Sequence, residues 1–512
     1  CLSRSRRGCG AVRAAGEPMS TVSLYAASET LLSDMAEVLR LYMGGVTVLP
    51  NAPGGDMTIR HSEEIADGVR VVRVTDDERC EESRERITGD AVVDKRLRRR
   101  QAKLGVYGLM KRRFGFAPPW GSLTGIRPTR LLYANLDKGM TMDEAVHELQ
   151  RVFDVSDEKA AVLREIVQVQ QALTLPARDE IDLYIGIPFC VSRCAYCSFL
   201  SGEVGKGELL APYVEALERE IARTIALLEE TGLRPRAFYM GGGTPTALPA
   251  PLLRRVLRAA EPLTARCREM TVEAGRPDTI DRDKLQALLD YGVTRISVNP
   301  QTKHDETLAR IGRRHTCRQT EEAYALARQM GFSHINMDLI AGLPGENLQM
   351  FEETLAWLRS LAPESMTVHT LSIKRSSLLH LWEAQLPDGE MVADMVRAGA
   401  RTAHGMGMQP YYLYRQKYMA GNQENVGYAL PGHACLYNVE MMEDTANVLA
   451  MGAGAASKRL FDRQGFIRRA FNVSDIRQYI SRVDEMAQRK RDLFLGGNAP
   501  ASCKSGNVPE NA

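Results

Sequence analysis

Three cysteines, Cys190, Cys194 and Cys197, stand within eight residues in the segment YIGIPFCVSRCAYCSF. Thiolates are soft ligands that suit iron–sulfur clusters or zinc, and close spacing on one loop lets all three point at one metal centre. A structural zinc normally completes its shell with a fourth Cys or His, whereas Ser198 and Phe199 follow directly here. Three thiolates on a four-iron cube leave one iron open. The spacing therefore predicts a [4Fe-4S] cluster with one open iron.

The elements around this segment alternate between short apolar strands and helical stretches, six times from Ile181 onward. The predicted strands are Asp182–Ile187, Arg236–Gly241, Met270–Ala274, Thr294–Val298, His334–Ile340 and Met366–Ile373. The clearest predicted helix covers Leu209–Glu230, which carries one apolar stripe. This rhythm predicts an α/β fold with a partial (β/α)6 barrel. In such barrels the chemistry lies in loops at the carboxyl ends of the strands, and the cysteine loop follows the first strand.

Five segments are expected along the chain. They are residues 1–18, a disordered or non-native extension; 19–178, an N-terminal α+β accessory domain; 179–376, the barrel; 377–493, a C-terminal helical and mixed region that covers the substrate; and 494–512, a disordered tail. The Arg-rich start also resembles a transit peptide, which is the weaker alternative. Within the accessory domain, the very basic helix Asp94–Phe114 is expected to present a solvated face.

CxxxCxxC after a strand, inside a six-unit βα pattern, resembles the radical S-adenosylmethionine (SAM) superfamily over about Ile181 to Arg375. The resemblance implies that the open iron chelates the amino and carboxylate groups of SAM. It also implies that electron transfer from the reduced cluster cleaves SAM to a 5′-deoxyadenosyl radical. The protein then supplies orientation and a dry pocket.

Further phrases narrow the resemblance to one branch. YIGIPFC, GGGTPT, EAGRPDTI, NMDLIAGLPGE and MGAGAASK resemble oxygen-independent coproporphyrinogen III oxidases, also called dehydrogenases. PWGSLTGIRPT and YRQKYMAGNQENVGYALPG are most similar to the Z-type bacterial proteins of that group, so the likeness runs from about Lys95 to Lys458. The implied reaction is oxidative decarboxylation of two propionates of coproporphyrinogen III to the vinyl groups of protoporphyrinogen IX, in haem biosynthesis.

The resemblance also assigns residues to SAM. The consecutive glycines of MGGGTPT let the backbone approach a ligand closely and match the segment that holds the methionine amino group. Glu273 lies at the end of the third predicted strand, Gln301 follows the fourth and Asp338 lies in the fifth, each emerging from an apolar run where a buried polar group needs a partner. Arg313 could pair with the methionine carboxylate as a fork donor. The positions that match ligand contacts of the family are Tyr184, Tyr196, Gly242, Gly243, Thr244, Glu273, Gln301, Arg313 and Asp338.

A tetrapyrrole with several carboxylates needs cationic partners and a broad apolar pocket. The candidates lie after the sixth strand and in the tyrosine-rich segment that follows; they are Lys374, Arg375, Arg415 and Lys417. Solvated surface charge is the alternative interpretation of these residues.

Two departures keep a second function open. The established dehydrogenases have a fourth cysteine where this chain has Phe199, and they usually have histidine at Gly186. The missing cysteine is shared with haem-trafficking chaperones, so a haem-binding chaperone-like protein without decarboxylase activity is the main alternative. His433 and Cys435 could each ligate haem iron, although a core or surface role is the competing interpretation. A different radical reaction on another substrate also stays open.

Composition limits the partners and the compartment. The 512 residues carry 66 basic and 64 acidic side chains, so the total charge gives no indication of a nucleic-acid partner. No apolar run approaches the length of a membrane span, and ten cysteines, seven of them scattered singly, do not resemble a disulfide framework. We therefore expect a cytoplasmic protein that receives electrons from a donor such as a flavodoxin or ferredoxin; its oligomeric state is left open.

Overall fold

A computed structural model of the chain describes residues 21–125, 127–197, 202–372, 386–416, 419–461 and 466–496. The elements of its first unit are β1 (Thr21–Tyr25), α1 (Glu29–Met43), β2 (Thr47–Pro50), β3 (Met57–Ala66), β4 (Val69–Thr75), β5 (Cys80–Arg86) and α2 (Ala91–Phe114). The strands form one sheet in the order β2-β1-β3-β4-β5, parallel around β1 and antiparallel from β3 to β5. Helices α1 and α2 pack on each other and on the sheet around a core of their own.

The basic helix α2 lies close to the sheet because Gly105 leaves room for Val74; a Cβ at this glycine would come within 2.4 Å of the valine side chain. The expected solvated face of this helix is only part of the picture, because several of its arginines are paired with acidic residues. They form ion pairs with acidic residues of the same unit, including Arg99 with Asp34 at 2.6 Å. Further pairs join Arg98 to Glu63, Arg100 to Glu85 and Arg112 to Glu81. Tertiary pairing of this kind leaves no periodic signal in the helix sequence.

Three helices follow the first unit: α3 (Thr129–Leu136), α4 (Met142–Phe153) and α5 (Asp157–Gln171). Their apolar residues, together with Trp120, share the hydrophobic core of the barrel rather than that of the first sheet. Gln170 of α5, for example, donates to the backbone oxygen of Tyr411 far along the chain. The two cores thus separate near residue 116, while the five expected segments, with their boundary at residue 178, remain predictions.

The barrel follows, and its elements alternate as expected. They are β6 (Glu180–Ile187), β7 (Phe189–Cys190), β8 (Gly202–Glu203), α6 (Leu210–Thr231), β9 (Arg234–Gly242), α7 (Ala250–Thr264), β10 (Glu269–Val272), α8 (Arg282–Asp290), β11 (Arg295–Ser297), α9 (Asp305–Arg310), α10 (Cys317–Gln329), β12 (Ile335–Ala341), α11 (Leu348–Leu361) and β13 (Ser365–Thr370). Strands β6, β9, β10, β11, β12 and β13 are neighbours in that order and all parallel. The predicted partial α/β barrel of six units is confirmed.

The C-terminal region extends this sheet at both edges. Its elements are α12 (Gly389–Gly405), β14 (Gln409–Tyr414), β15 (Asn425–Ala429), α13 (Leu436–Glu443), β16 (Asn447–Met451), β17 (Ala456–Leu460), β18 (Ile467–Phe471), α14 (Ile476–Ser481) and α15 (Val483–Leu495). Strands β15 and β14 add antiparallel to β13, while β16 adds parallel to β6 and is followed by β17 and β18. The open edges expected of a six-strand barrel are therefore paired, which removes unsatisfied backbone groups.

Helix α13 packs among side chains of the barrel interior. Tyr437 and Val439 belong to a buried cluster with residues of β9, β14 and β16. Glu440 of the same helix accepts a 2.7 Å hydrogen bond from Arg236, a fully buried cation of β9. Since Arg236 also bonds Glu180 at 3.1 Å, the helix is anchored where β6 and β9 begin. Among the described helices, none has the length and apolar character needed to cross a bilayer.

Candidate functional site

The cysteine loop leaves the carboxyl end of β6 and is held by backbone contacts on both sides. The amide of Ala195 donates to the carbonyl of Ile311 at 2.9 Å, and the Ser192 hydroxyl donates to the carbonyl of Gly312 at 3.2 Å. Short strands β7 and β8 pair in parallel next to it. All three thiols, Cys190, Cys194 and Cys197, are half-buried on this loop. They lie where the sequence analysis places the chemistry of the barrel.

The glycine segment after β9 lies directly beside this loop. The amides of Gly243 and Thr244 donate to Ile187 and Phe189 at 2.8 and 2.7 Å, and a Cβ on Gly243 would come within 2.5 Å of the Phe189 carbonyl. The Thr244 hydroxyl lies 3.6 Å from the Cys190 sulfur. A bound ammonium group donates hydrogen bonds, so it would need acceptors here, such as carbonyl or hydroxyl oxygens.

Two carboxylates lie on neighbouring parts of the barrel: Glu273 directly follows β10, and Asp338 lies within β12. Glu273 accepts a 2.6 Å hydrogen bond from the Tyr239 hydroxyl, and burial, helped by the nearby charge of Asp338, raises the pKa of Glu273 to about 7. Burial also acts to raise the pKa of Asp338, but contacts with His369 and Asn336 outweigh it and hold this pKa below its usual range. His369 Nε2 is 3.6 Å from Asp338 Oδ2. The Glu273 carboxyl therefore titrates near neutral pH, and the Asp338 carboxyl is kept ionised.

Gln301 and Arg313 carry buried polar atoms that lack partners. Gln301 has a positive φ of 69°, and its Oε1 meets no hydrogen-bond partner in the part of the chain that the structure describes. Arg313 donates from Nη1 to the carbonyl of Asn299 at 2.5 Å, yet its Nε is likewise unsatisfied by any described residue. The neighbouring Tyr196 and Cys194 raise the pKa of Arg313 despite its burial. Beside the cysteine loop, these atoms provide hydrogen-bonding positions for a ligand.

Stacked tyrosines fill the barrel interior, a feature that the sequence analysis identified only through Tyr184. The rings of Tyr184, Tyr239 and Tyr437 lie within 22° of parallel, with Tyr239 and Tyr437 centroids 4.7 Å apart. Tyr414 adds its hydroxyl 3.4 Å from His369 Nδ1. Because these side chains come from β6, β9, β14 and α13, no single stretch of sequence signals the stack.

The candidate tetrapyrrole contacts are largely outside the described residues: Lys374, Arg375 and Lys417 all are. Arg415 is described and is buried between two regions of the chain. It donates to the carbonyl of Leu123 at 2.7 Å and to the Asn422 side chain at 2.5 Å, and burial lowers its pKa to about 10. These contacts occupy the two terminal nitrogens, whereas Nε meets no hydrogen-bond partner among the described residues. Its predicted role in substrate binding stays a prediction.

His433 and Cys435 lie at the opposite end of the barrel from the cysteine loop. The Cys435 thiol is buried and donates to Glu269, the first residue of β10, at 3.2 Å. His433 Nδ1 is 3.1 Å from Nδ1 of His334, which precedes β12. Both side chains are thus engaged in packing at the base of the barrel, which favours the core role over haem ligation.

The cysteine loop fits an iron–sulfur cluster by the chemistry of its donors. Three half-buried thiols lie close together on one loop, and a cluster distributes such thiolate ligands over separate iron atoms. The orphaned atoms of Gln301 and Arg313 provide polar contacts for a further ligand.

A partial barrel with three thiolates on the loop after its first strand defines a radical SAM protein, and the family model of the radical SAM superfamily matches residues 184–358. The oxygen-independent coproporphyrinogen-III oxidase-like protein HemZ of Bacillus subtilis is 41% identical over 394 residues, which cover 75% of this chain and 78% of the relative. The chain therefore belongs to the oxygen-independent coproporphyrinogen III oxidase-like family, in agreement with the predicted Z-type branch. Membership of the superfamily implies SAM and a [4Fe-4S] cluster.

Two further likenesses bear on function and fold. The heme chaperone HemW of Escherichia coli is 32% identical over 291 residues, covering 55% of this chain and 71% of the relative. The solved structure of coproporphyrinogen III oxidase HemN from Escherichia coli has a TM-score of 0.50 and 23% identity, and covers 62% of this chain and 72% of that chain. The second likeness supports the fold alone.

Proposed function

We propose that this protein is a cytoplasmic oxygen-independent coproporphyrinogen III dehydrogenase that converts coproporphyrinogen III to protoporphyrinogen IX. The observation that carries the proposal is the gathering, at the carboxyl ends of the barrel strands, of the cysteine loop with the polar side chains Glu273, Gln301, Arg313 and Asp338. The match to a coproporphyrinogen oxidase-like relative over three quarters of the chain supports the choice of substrate.

In this proposal Cys190, Cys194 and Cys197 hold the cluster, and the carboxyl-end residues hold SAM. Bound SAM and the reduced cluster would supply hydrogen-atom abstraction at the β-carbon of two of the propionates, each of which would then release carbon dioxide and pass one electron to an external acceptor to leave a vinyl group. Arg313 pairs with a carboxylate, for which its rigid fork of donors is suited. Asp338, kept ionised by His369, accepts from hydroxyl groups.

The remaining residues shape the pocket. The stacked rings of Tyr184, Tyr239 and Tyr437 close the barrel below the carboxylates and keep water from the reacting atoms. Tyr184 and Tyr196 complete the proposed SAM contacts, with Gly242, Gly243 and Thr244 beside the methionine amino group. Lys374, Arg375, Arg415 and Lys417 remain the proposed tetrapyrrole contacts, and a flavodoxin or ferredoxin the proposed electron donor.

Anaerobic turnover of the reconstituted protein tests the proposal directly. With reductant, SAM and coproporphyrinogen III, we expect 5′-deoxyadenosine and vinyl-bearing tetrapyrrole in a fixed ratio, both measured by chromatography. Cys194→Ala should give neither product, whereas Cys317→Ala, on a helix outside the cysteine loop, should give both. Deoxyadenosine without vinyl product would reject this substrate and keep the radical chemistry.

A haem-binding, chaperone-like function is the second candidate. It is favoured by the match to the heme chaperone of Escherichia coli and by Phe199, which stands where the established dehydrogenases have a fourth cysteine. Titration of the reconstituted protein with haem, followed by its absorption spectrum, separates the two functions. Stoichiometric haem binding by a protein that forms no vinyl product would establish this second function instead.

A further inference from the structure

Arg276 is a buried cation that touches the cysteine loop. It follows β10 and is only 3% exposed. Its Nη1 donates to the carbonyl of Ser192 at 3.1 Å and to the sulfur of Cys194 at 3.8 Å. Its Nε and Nη2 donate to the two carboxylate oxygens of Asp278 at 3.1 and 2.9 Å. One guanidinium thus joins a cluster ligand to a fixed counter-charge.

Cys194 faces a second guanidinium as well. Arg313 is buried and interacts with the side chains of both Cys194 and Tyr196. Its role differs, because it carries an unsatisfied Nε and is a proposed SAM contact, whereas four donor contacts of Arg276 are made within the protein. Four of the five N–H donors of Arg276 are thus used within the protein, and one of them is directed at the Cys194 sulfur.

We infer that Arg276 is a positioning residue that raises the reduction potential of the iron–sulfur cluster by donating a hydrogen bond to the Cys194 sulfur. The inference rests on the proposed cluster ligation, and it adds a residue that sets how readily this cluster accepts an electron. Reduction adds one negative charge to the cluster. A buried donor and cation at a ligand sulfur stabilises that charge, since hydrogen bonds to sulfur and local charge both tune the potential of such clusters.

Asp278 limits how far Arg276 raises the reduction potential of the cluster. Its carboxylate holds the Arg276 fork in place and neutralises part of its charge. Removal of the arginine charge should therefore lower the potential, and removal of the aspartate charge should raise it. A residue that only braced the loop would shift the potential in the same direction when either partner was changed.

The test is a redox titration of the reconstituted full-length protein without SAM or tetrapyrrole, with the reduced cluster measured by electron paramagnetic resonance. At the potential where the wild-type cluster is half reduced, Arg276→Gln should lower the ratio of reduced to oxidised cluster about tenfold, which equals 59 mV for a one-electron couple. Asp278→Asn should raise this ratio, and Arg276→Lys should fall between wild type and Arg276→Gln.

The matched control is Arg255→Gln. Arg255 forms a similar two-point ion pair with Glu218 where α6 and α7 meet, and its loss should leave the ratio unchanged. An unchanged potential in iron-loaded Arg276→Gln, or a fall in Asp278→Asn, would overturn the inference. If Arg276→Gln takes up no iron, the other two variants test the inference. The ratio of reduced to oxidised cluster should then be lower than wild type in Arg276→Lys and higher in Asp278→Asn. A wild-type chain without any cluster would overturn the proposed function as well.

Discussion

Glu273 is half-buried near a second carboxyl, Asp338, and desolvation raises the pKa of Glu273 to about 7. A carboxyl whose pKa is higher in the folded than in the unfolded chain binds extra protons when folded, so stability falls as pH rises between the two values. The penalty is absent below about pH 4.5 and complete above about pH 7.

Glu273→Gln should remove this penalty and keep an acceptor for Tyr239. At pH 8 we expect the variant to unfold with a free energy about 1–3 kcal/mol higher than wild type, and with a flatter dependence on pH from 5 to 8. Chemical denaturation at several pH values measures it. Glu218→Gln, which removes an outer carboxylate paired with Arg255, is the control. Equal pH slopes for wild type and Glu273→Gln would contradict the raised pKa.

Each cysteine of the loop is expected to be necessary for the cluster. Replacement of Cys190, Cys194 or Cys197 by Ala should reduce bound iron from about four atoms per chain to near zero, because thiolates are the only strong ligands that this loop offers. Iron and sulfide analysis after reconstitution measures the loss. Retention of the full four-iron spectrum in any of the three variants would reject the ligand assignment.

At this scale, sequence reasoning reaches residues whose position follows from their own strand. Glu273 lies near the end of a predicted strand, Gln301 follows one and Asp338 lies within one, and the carboxyl ends of parallel strands meet. The roles of Arg276 and Tyr437 could not be predicted from the sequence in this way. Arg276 looks like any charged loop residue until the fold brings it to Cys194, and the helix that carries Tyr437 has no pattern that would show it entering the barrel.

At the scale of elements, a buried ion pair joins α5 to the segment before β15. Lys159 donates to Glu424 at 2.7 Å with both side chains about 2% exposed, and the Trp120 indole donates to the other oxygen of the same carboxylate at 2.7 Å. This contact brings together three stretches that are distant in sequence. It stabilises the fold only while both charges are present.

Lys159→Met should therefore lower the free energy of unfolding by about 3–5 kcal/mol, because it leaves the Glu424 carboxylate buried and unbalanced. The double variant Lys159→Met with Glu424→Gln should recover much of the loss. Urea denaturation measures the free energy of unfolding of the single and double variants, which together form a double-mutant cycle. Equal stability of the two variants would show that the charge of Glu424 costs nothing in the absence of its partner.

The six barrel strands were predictable to within three residues, because each is an apolar run followed by a helical period. The placement of β14 to β18 was not. Ile181 of β6 pairs with Asn447 of β16, and β15 runs antiparallel to β13. Pairing partners so far apart leave no local signal, so a region expected only to cover the barrel proves to continue its sheet.

At the scale of the whole molecule, the two ends of the chain differ in how they are attached. The first unit has its own hydrophobic core, and Tyr107 and Lys111 of α2 contact Asp154 at the surface of the second. The last helix is tied in deeply, since Lys490 bonds the fully buried Glu220 of α6. Attachment by a buried ion pair is the more costly to remove.

Two deletions test this difference. A chain without residues 1–116 should keep its iron content and unfold cooperatively, whereas a chain without residues 483–512 should lose cooperative unfolding, because Glu220 then lacks its cation. Thermal melts by circular dichroism and iron analysis compare them. Comparable losses in the two truncated chains would show that the first unit is integral to the second.

The parallel pairing of β6 with β16 has a consequence for when the protein can fold during synthesis. The strand that leads into the cysteine loop obtains one of its two neighbours only after β16, far along the chain, has left the ribosome. Contacts of such long range form late in folding. Until then the loop is attached to a strand with an unpaired edge, so loading of iron should follow the emergence of β16, and a nascent chain stalled before β16 should carry no iron.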